Sequence, residues 1–273
     1  MSVRMFSGER ESAAIDPRNR GLAYGDGLFE SMRVHRGHVP LWPRHLARLG
    51  AGAERLGIVV PDVGFIEARM TELATECAAG VLKLLLTRGQ GGRGYGFPLQ
   101  ATPEWLMSLH PLPAIKAAPL RLHMCDTRLA IQPALAGIKH CNRLEQVLAR
   151  GECERAGCDE GLMEDTAGNV VCATSANVLV LREGTWSTPP MDTCGVAGVL
   201  RQWLLEKGLV TIAPVSLAQV DSADALALCN AVRGILPVAS LGVRAWRLHP
   251  AVAQLQASLA LAYPMFFESM EVA

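Results

Sequence analysis

The chain has 273 residues, half of them hydrophobic and 19% charged, and its 26 basic and 26 acidic side chains cancel. That composition excludes a disordered chain, and the balanced charge excludes a general electrostatic attraction to nucleic acid or an anionic membrane surface. The length suits one large domain or two smaller ones with sizeable cores.

The opening MSVRMFSGERESAA has no apolar stretch, so no secretory leader is expected. No apolar run reaches the roughly 18–20 residues of a membrane span. The turn-rich IDPRNRGLAYGDG leads into LFESMRVHRG, which reads as a strand closed by a turn at Arg36-Gly37. Pro43 suits a first helical position, and Leu46, Leu49, Ala53 and Leu56 then recur at helical spacing. Asp62 is a good N-cap for a second helix, in which Val63, Ile66, Met70, Leu73 and Cys77 alternate by three and four before Gly80 ends it. VLKLLLT (81–87) reads as a buried strand, RGQGGRGYGFP as a long loop, and EWLMSLH (104–110) as another strand.

PLPAIKAAP (111–119) is proline-punctuated and aperiodic, which makes it the expected linker, with a domain boundary between residues 115 and 116. LRLHMCD (120–126) opens a second set of elements. A helix is expected from about Asn142 to Ala156, then strands in GLMED and NVVCATSANVLVL around the turn TAGN. VAGVLRQWLLEKG reads as a helix with Val199, Leu200, Trp203 and Leu204 on one face. Further strands are expected in LVTIAPV, ALALCN and GVRAWRL, and Pro250 starts a last helix carrying Val252, Leu255, Leu259 and Leu261. The mixture is α/β or α+β, in a smaller N-terminal half (1–115) and a larger C-terminal half (116–273).

Several stretches carry chemical signals. The eight cysteines include no CxxC, and Cys153 and Cys158 are wrongly spaced for a zinc knuckle, so reduced cytoplasmic thiols and no metal site are expected. Gly89, Gly91 and Gly94 spell G-x-G-x-x-G, but Pro98 stands where a dinucleotide site needs a helix, and no acid follows about 20 positions on. The same loop holds Arg88, Arg93 and Tyr95 among glycines, a composition compatible with a solvated loop and with one that binds a carboxylate. CGVAGVLRQ (194–202) runs into a helix whose N-terminal N–H groups could face a phosphate, or merely form a turn. Arg48 shares the polar side of its helix with Arg44 and Arg55. There is no GxSxG and no HExxH. Lys139, in LAGIKHCNRLEQ (135–146), follows an apolar-and-glycine stretch; a partly desolvated lysine there would have a lowered pKa and a lone pair able to attack a carbonyl.

The chain resembles the fold-type IV pyridoxal-phosphate enzymes, and within them the aminodeoxychorismate lyase branch. The carrying segments are YGDGLFESMRV (24–34), PRHLARL (43–49), VLKLLLTRGQGGRGYGFP (81–98), LAGIKHCNRLEQVLAR (135–150), GVAGVLRQ (195–202) and ALCNAVRGILPV (227–238). IKHCNRLEQVLAR and TRGQGGRGY are the ones specific to the lyase branch; the others are shared with the D-amino-acid and branched-chain transaminases. The resemblance implies two α/β domains with the active site between them, the larger carrying the cofactor lysine, in a homodimer. It implies pyridoxal 5'-phosphate as cofactor, with Lys139 as its Schiff-base lysine. Arg48, Gly198, Val199, Leu200, Asn230 and Ala231 match residues on the phosphate side, and Phe29, Lys83, Arg93 and Tyr95 match the substrate side. The implied reaction converts 4-amino-4-deoxychorismate to pyruvate and 4-aminobenzoate, for folate synthesis. Where the family places a glutamate against the pyridine nitrogen, this chain has Cys172, a poor anion unless its pKa is lowered. A water, Thr174, or a shifted carboxylate such as Glu164 or Asp165 could substitute. The competing readings are a fold-type IV transaminase for D- or branched-chain amino acids, and a catalytically dead relative serving as a scaffold.

Overall fold

The computed structural model describes residues 2–114 and 118–267. The core of the expected linker and the 115/116 boundary fall on residues 115–117, outside the described residues. The chain forms two compact units, Met1–Pro113 with Ile138–Asn142, and Ala114–Gly137 with Arg143–Ala273. Among the described residues no helix is long and apolar enough to cross a membrane.

The first unit contains, in chain order, β1 (Val3–Ser7), β2 (Arg10–Ser12), α1 (Arg20–Tyr24), β3 (Gly27–His35), α2 (Trp42–Leu56), α3 (Val63–Ala74), β4 (Ala79–Thr87) and β5 (Glu104–Pro111). Its antiparallel sheet has the order β2-β1-β5-β4-β3, which leaves β3 at an edge. The longest pairing runs from Gly27↔Thr87 to His35↔Ala79. Arg36 and Gly37 both take positive φ, 48° and 78°, and close the end of β3 as the sequence suggested. VLKLLLT is half-buried rather than wholly buried. Leu82, Leu84 and Leu86 are covered, whereas Val81 and Leu85 are partly open and Lys83 is exposed. The strand alternates because one face of the sheet is packed and the other is not. α2 packs against β3, with Leu49 and Ala53 buried on the expected face. α3 starts where Asp62 accepts from the Phe65 amide at 2.8 Å, but it ends at Ala74, short of Cys77. Thr75 closes it, its hydroxyl donating to the Glu72 carbonyl at 2.7 Å in competition with the helical ladder.

The second unit contains β6 (Leu120–Met124), α4 (Leu144–Arg155), β7 (Glu160–Glu164), β8 (Val170–Ala173), β9 (Asn177–Arg182), β10 (Thr185–Thr188), α5 (Val199–Glu206), β11 (Thr211–Ile212), α6 (Leu217–Asp221), β12 (Ala225–Asn230), β13 (Gly234–Leu241), β14 (Arg244–Ala245) and α7 (Pro250–Ala262). Strands β9-β12-β13-β6-β7-β8 pair in sequence, and a Cys172↔Asn177 pairing returns β8 to β9, closing a barrel. Leu120, Leu122, Leu162, Ala173, Val178, Val180, Leu226, Leu228, Leu236 and Val238 supply its core from all six strands. Each of the leucine and valine side chains among them stabilises the fold by ~1.5–3 kcal/mol on burial.

β13 lies inside the ladder between β12 and β6, although the sequence reading placed no strand there. Pro237 concealed it: a proline lacks the N–H a central strand uses, yet here it stands opposite Ala227, just before a bulge at Val238/Ser240. α4 begins two residues later than expected, because Cys141 is still hydrogen-bonded to β3 in the first unit.

Candidate active site

Lys139 is not in a free loop. In the first unit the Ile138–Asn142 segment lies along the open edge of β3 as a short extra strand. The Phe29 amide donates to the Lys139 carbonyl at 3.0 Å, the Cys141 amide donates to the Gly27 carbonyl at 2.9 Å, and Leu28 and His140 face each other between them. Gly27 makes this approach possible: a Cβ there would lie 2.6 Å from the Leu86 carbonyl oxygen and 3.3 Å from Cys141 Sγ. The Lys139 Nζ stands 4.3 Å from the centroid of the Phe29 ring. Lys83, opposite Ser31 on β4, places its Nζ 5.4 Å from the same ring. Two lysine amines thus stand near one aromatic ring, whose quadrupole attracts each of them as a cation.

α2 brings a second cluster to β3. Glu30 is 1% exposed and takes Arg48 in a two-pronged ion pair, with Nε donating to Oε1 at 2.9 Å and Nη2 to Oε2. His45 Nδ1 lies 2.6 Å from Glu30 Oε2. Burial pushes the Glu30 carboxyl up, but the Arg48 charge and then His45 outweigh it and bring it to about 2. His45 goes the other way: burial holds the imidazole below its usual range against Glu30, with Arg48 and Lys139 adding to the depression. A neutral imidazole beside a carboxylate carries its proton on Nδ1. Its buried Nε2 has no hydrogen-bond partner among the described residues. Arg48 and His45 are one helical turn apart, so a single helix face delivers both to Glu30. Sequence reasoning singled out Arg48 and missed Glu30 and His45; the i, i+3 spacing was the available signal.

In the second unit, α5 starts at Val199 with Gly198 as an extended N-cap and no side-chain hydrogen bond to the first turn. Gly198 has no side chain with which to cap the helix, so the N–H groups of Val199 and Leu200 get no partner from the N-cap residue. The approach to that start is fixed by Gly137, two residues before Lys139 in sequence: its amide donates to Gly195 O at 3.0 Å and its carbonyl accepts from the Ala197 amide at 2.9 Å. Asn230 folds its own turn, its Oδ1 accepting from the Val232 and Arg233 amides at 3.0 and 2.8 Å. Its Nδ2 reaches Ser175 O at 3.3 Å. Beneath both turns sits Glu160, which the sequence reading did not single out. The buried carboxylate accepts from the Thr174 and Ser175 hydroxyls and from Arg233, the last at 3.3 Å. It ties the turn carrying Thr174 and Ser175 to the turn carrying Asn230 and Ala231.

Cys172 pairs with Met163 and packs with Cys125, Leu129, Ala149, Cys153, Met163 and Cys194, away from the barrel core. Burial, with the Cys194 thiol second, pushes it up to about 12, so it is a neutral thiol at ordinary pH. The groups named as substitutes have partners of their own. Glu164 is paired with Arg128 at 3.1 Å, Asp165 accepts from the Ala167 and Asn169 amides at 2.9 Å each, and Thr174 donates to Glu160. Arg93 and Tyr95 lie on the exposed loop after β4, Tyr95 being 82% exposed.

The amino-transferase class IV family model matches residues 27–241. An aminodeoxychorismate lyase of Vibrio harveyi is 33% identical over 233 residues, which cover 82% of this chain and 86% of that one. A D-alanine aminotransferase of Bacillus licheniformis is 27% identical over 87% of both chains. Among solved structures, the 4-amino-4-deoxychorismate lyase of Pseudomonas aeruginosa is 43% identical, with a TM-score of 0.87, over 94% of this chain and 98% of that one. With the family model spanning most of its length, the chain belongs to the class IV aminotransferases.

Proposed function

We propose that this chain is a pyridoxal 5'-phosphate-dependent 4-amino-4-deoxychorismate lyase, working in the cytoplasm as a homodimer and supplying 4-aminobenzoate for folate synthesis. The geometric observation that carries the reading is the Lys139–Phe29–Lys83 arrangement, with a second cation beside the candidate reactive amine on one aromatic ring. A substrate with two carboxylates matches that local excess of positive charge. The identity to the lyases, higher than to the aminotransferase, favours the same side.

The donor set fits the cofactor. On the family resemblance, Lys139, Arg48, Gly198, Val199, Leu200, Asn230 and Ala231 are the residues that would hold it. They offer an amine for an aldehyde, a guanidinium for a phosphate, and a helix start whose N-cap residue is a glycine with no capping side chain. When bound, the cofactor supplies an aldehyde that condenses with amines and a ring that withdraws electrons from the amine-bearing carbon. Lys139 Nζ acts as general base on the proton of that carbon as the enolpyruvyl C–O bond breaks. The same group returns the proton to the methylene carbon of the departing enolate, giving pyruvate and leaving the aromatic 4-aminobenzoate. Phe29 holds the ammonium in place, and Lys83, Arg93 and Tyr95 bind carboxylate. If residue 172 faces the ring nitrogen, as the resemblance implies, its neutral thiol would offer no anion there, and electron withdrawal would be weaker than a glutamate would give. A lyase tolerates this because the electrons pass directly into C–O cleavage and aromatisation helps; a transaminase must store them.

The homodimer has its own support. Leu144, Val147 and Leu148 stand exposed at helical spacing on α4 and form an apolar stripe suited to a second copy. The deciding experiment incubates the purified, cofactor-loaded chain with 4-amino-4-deoxychorismate and measures pyruvate, in parallel with keto-acid-dependent amino transfer from D-alanine and from branched-chain amino acids. Pyruvate release without amino transfer is the expected result; amino transfer without pyruvate would sink the lyase reading.

A further inference from the structure

We propose that Arg20 is a positioning residue that shapes the glycine-rich loop after β4, and thereby presents Arg93 and Tyr95 to a carboxylate of the substrate. The clamp itself stands on geometry; the identity of the substrate rests on the lyase reading above.

Arg20 is the first residue of α1 and is only 3% exposed. Its helix start is anchored by Asn19, whose Oδ1 accepts from the Gly21 and Leu22 amides at 2.8 and 3.2 Å. The Asn19 amide group in turn donates to Thr87 Oγ1 at 2.9 Å and Glu104 Oε2 at 2.6 Å, fixing α1 to the ends of β4 and β5. From this anchored base the guanidinium reaches three successive carbonyls of the loop. Nη1 donates to Gly94 O at 3.2 Å and Gly96 O at 3.1 Å, and Nη2 donates to Tyr95 O at 3.2 Å. Nε donates to Asp26 Oδ2 at 2.8 Å, an oxygen that also receives Arg88 Nε at 2.8 Å. Tyr24 completes the seat: its ring lies 5.1 Å from the Arg20 guanidinium and its hydroxyl accepts from the Gly94 amide at 3.2 Å.

Three consecutive carbonyls converging on one buried cation wind the tip of the loop around it. The backbone dipoles point inward, and the side chains of Arg93 and Tyr95 stay outside, both exposed. The middle glycine of G-x-G-x-x-G thereby finds a physical reason unrelated to dinucleotides. A Cβ on Gly91 would lie 2.7 Å from Arg20 Cδ and 2.9 Å from Cγ, so only glycine leaves room for the clamp. Only arginine has the planar fork that spans several acceptors; a lysine ammonium is a point donor. Arg20 and Arg88 share one carboxylate, Asp26, so with Arg93 the loop carries excess positive charge, as recognition of an acidic substrate requires.

The test compares wild type, Arg20→Lys, Arg20→Gln and Gly91→Ala as full-length, cofactor-loaded protein. Two quantities are read: the rate of tryptic cleavage after Arg93, and kcat and KM for pyruvate release from 4-amino-4-deoxychorismate. Arg20→Gln and Gly91→Ala are expected to speed cleavage after Arg93 about tenfold and raise KM about tenfold, with kcat within roughly threefold of wild type. Cleavage elsewhere and cofactor absorption stay as in wild type, and Arg20→Lys falls between. Gly91→Ala keeps the charge and displaces the clamp, which covers the case in which the arginine variants fold poorly. Wild-type cleavage in both variants overturns the proposal, as does faster cleavage with unchanged KM. A wild-type chain that releases no pyruvate overturns the lyase reading and not the clamp, which the cleavage rate then decides alone.

Discussion

The Phe29 amide donates to the Lys139 carbonyl at 3.0 Å while the Phe29 ring lies 4.3 Å from the Lys139 Nζ, so one residue holds both ends of the candidate reactive lysine. The two holds are separable, because only the second needs the ring. Phe29→Ala keeps the backbone bond and removes the cation–π contact, worth ~0.5–2 kcal/mol. Pyruvate release should fall about tenfold in kcat. Phe29→Tyr, which keeps the aromatic face, should remain within about threefold of wild type. Steady-state kinetics on the two variants check this; equal losses in both would mean that the ring's face is not what matters.

Lys139→Ala separates chemistry from folding. The segment's attachment to β3 is made by main-chain groups of residues 27, 29, 139 and 141, so the fold should survive. Pyruvate release should drop by at least ~10³-fold, at the upper range for loss of a proton-transfer group. The visible absorption of the bound cofactor should shift at the same time, with the far-ultraviolet circular dichroism unchanged. A variant retaining more than a tenth of wild-type activity would remove Lys139 from the reaction.

Acid sensitivity follows from the Glu30 cluster. The ordinary carboxyl value is 4.5 and the folded value is about 2, because Arg48 and His45 outweigh burial. Between those values the unfolded chain binds the proton and the folded chain does not. The stabilisation is therefore complete above pH 4.5 and is lost as the pH falls toward 2. It amounts to roughly 3 kcal/mol for this buried group. His45 acts in the same sense at higher pH: its folded value lies below 6.5, so stability begins to fall as the pH drops below 6.5 and the unfolded chain gains a proton. Denaturant melts from pH 7 to 3 should show both slopes in wild type. Glu30→Gln should lose the lower one and be less stable at pH 7, and His45→Gln should lose the upper one.

Much of this was legible in the sequence, for identifiable reasons. α2 and α3 announce themselves by apolar spacing and by a proline or aspartate at their starts, and these local signals survive packing. β13 was hidden by Pro237, and the two-residue β11 and β14 are shorter than the stretches that suggested them. Lys139 stood out because its neighbours are apolar. Glu30 and Glu160 did not, since one acidic residue in a strand resembles another until its partners are known. Their partners lie 18 residues away for Arg48 and 73 for Arg233, distances that no local pattern spans. Arg20 was missed for the same reason: its carbonyl acceptors lie more than 70 positions further along the chain.

Cys172 gives the sharpest test of reaction choice. The thiol is buried in the cluster that also holds Cys153 and Ala149 of α4 and Cys194, and its value of about 12 keeps it neutral. In the native protein it should resist alkylation at pH 8 along with Cys125, Cys153, Cys194 and Cys229, while the less buried Cys77, Cys141 and Cys158 react first. Cys172→Glu introduces a carboxylate into this apolar cluster. Without a cofactor to meet it, the charge should cost about 3–5 kcal/mol, measurable as a lower denaturation midpoint of the apo-protein. With cofactor bound, an anion facing the ring nitrogen would strengthen electron withdrawal. The variant should then convert the cofactor with D-alanine or a branched-chain amino acid, a half-reaction seen as loss of its visible band, faster than wild type. Cofactor addition should also recover part of the lost stability in Cys172→Glu and less in Cys172→Ser, which keeps the size but adds no charge. If Cys172→Glu gains no half-reaction, the thiol is not what restrains amino transfer, and the preference for elimination must come from the substrate side, to which the proposed function assigns Lys83, Arg93 and Tyr95.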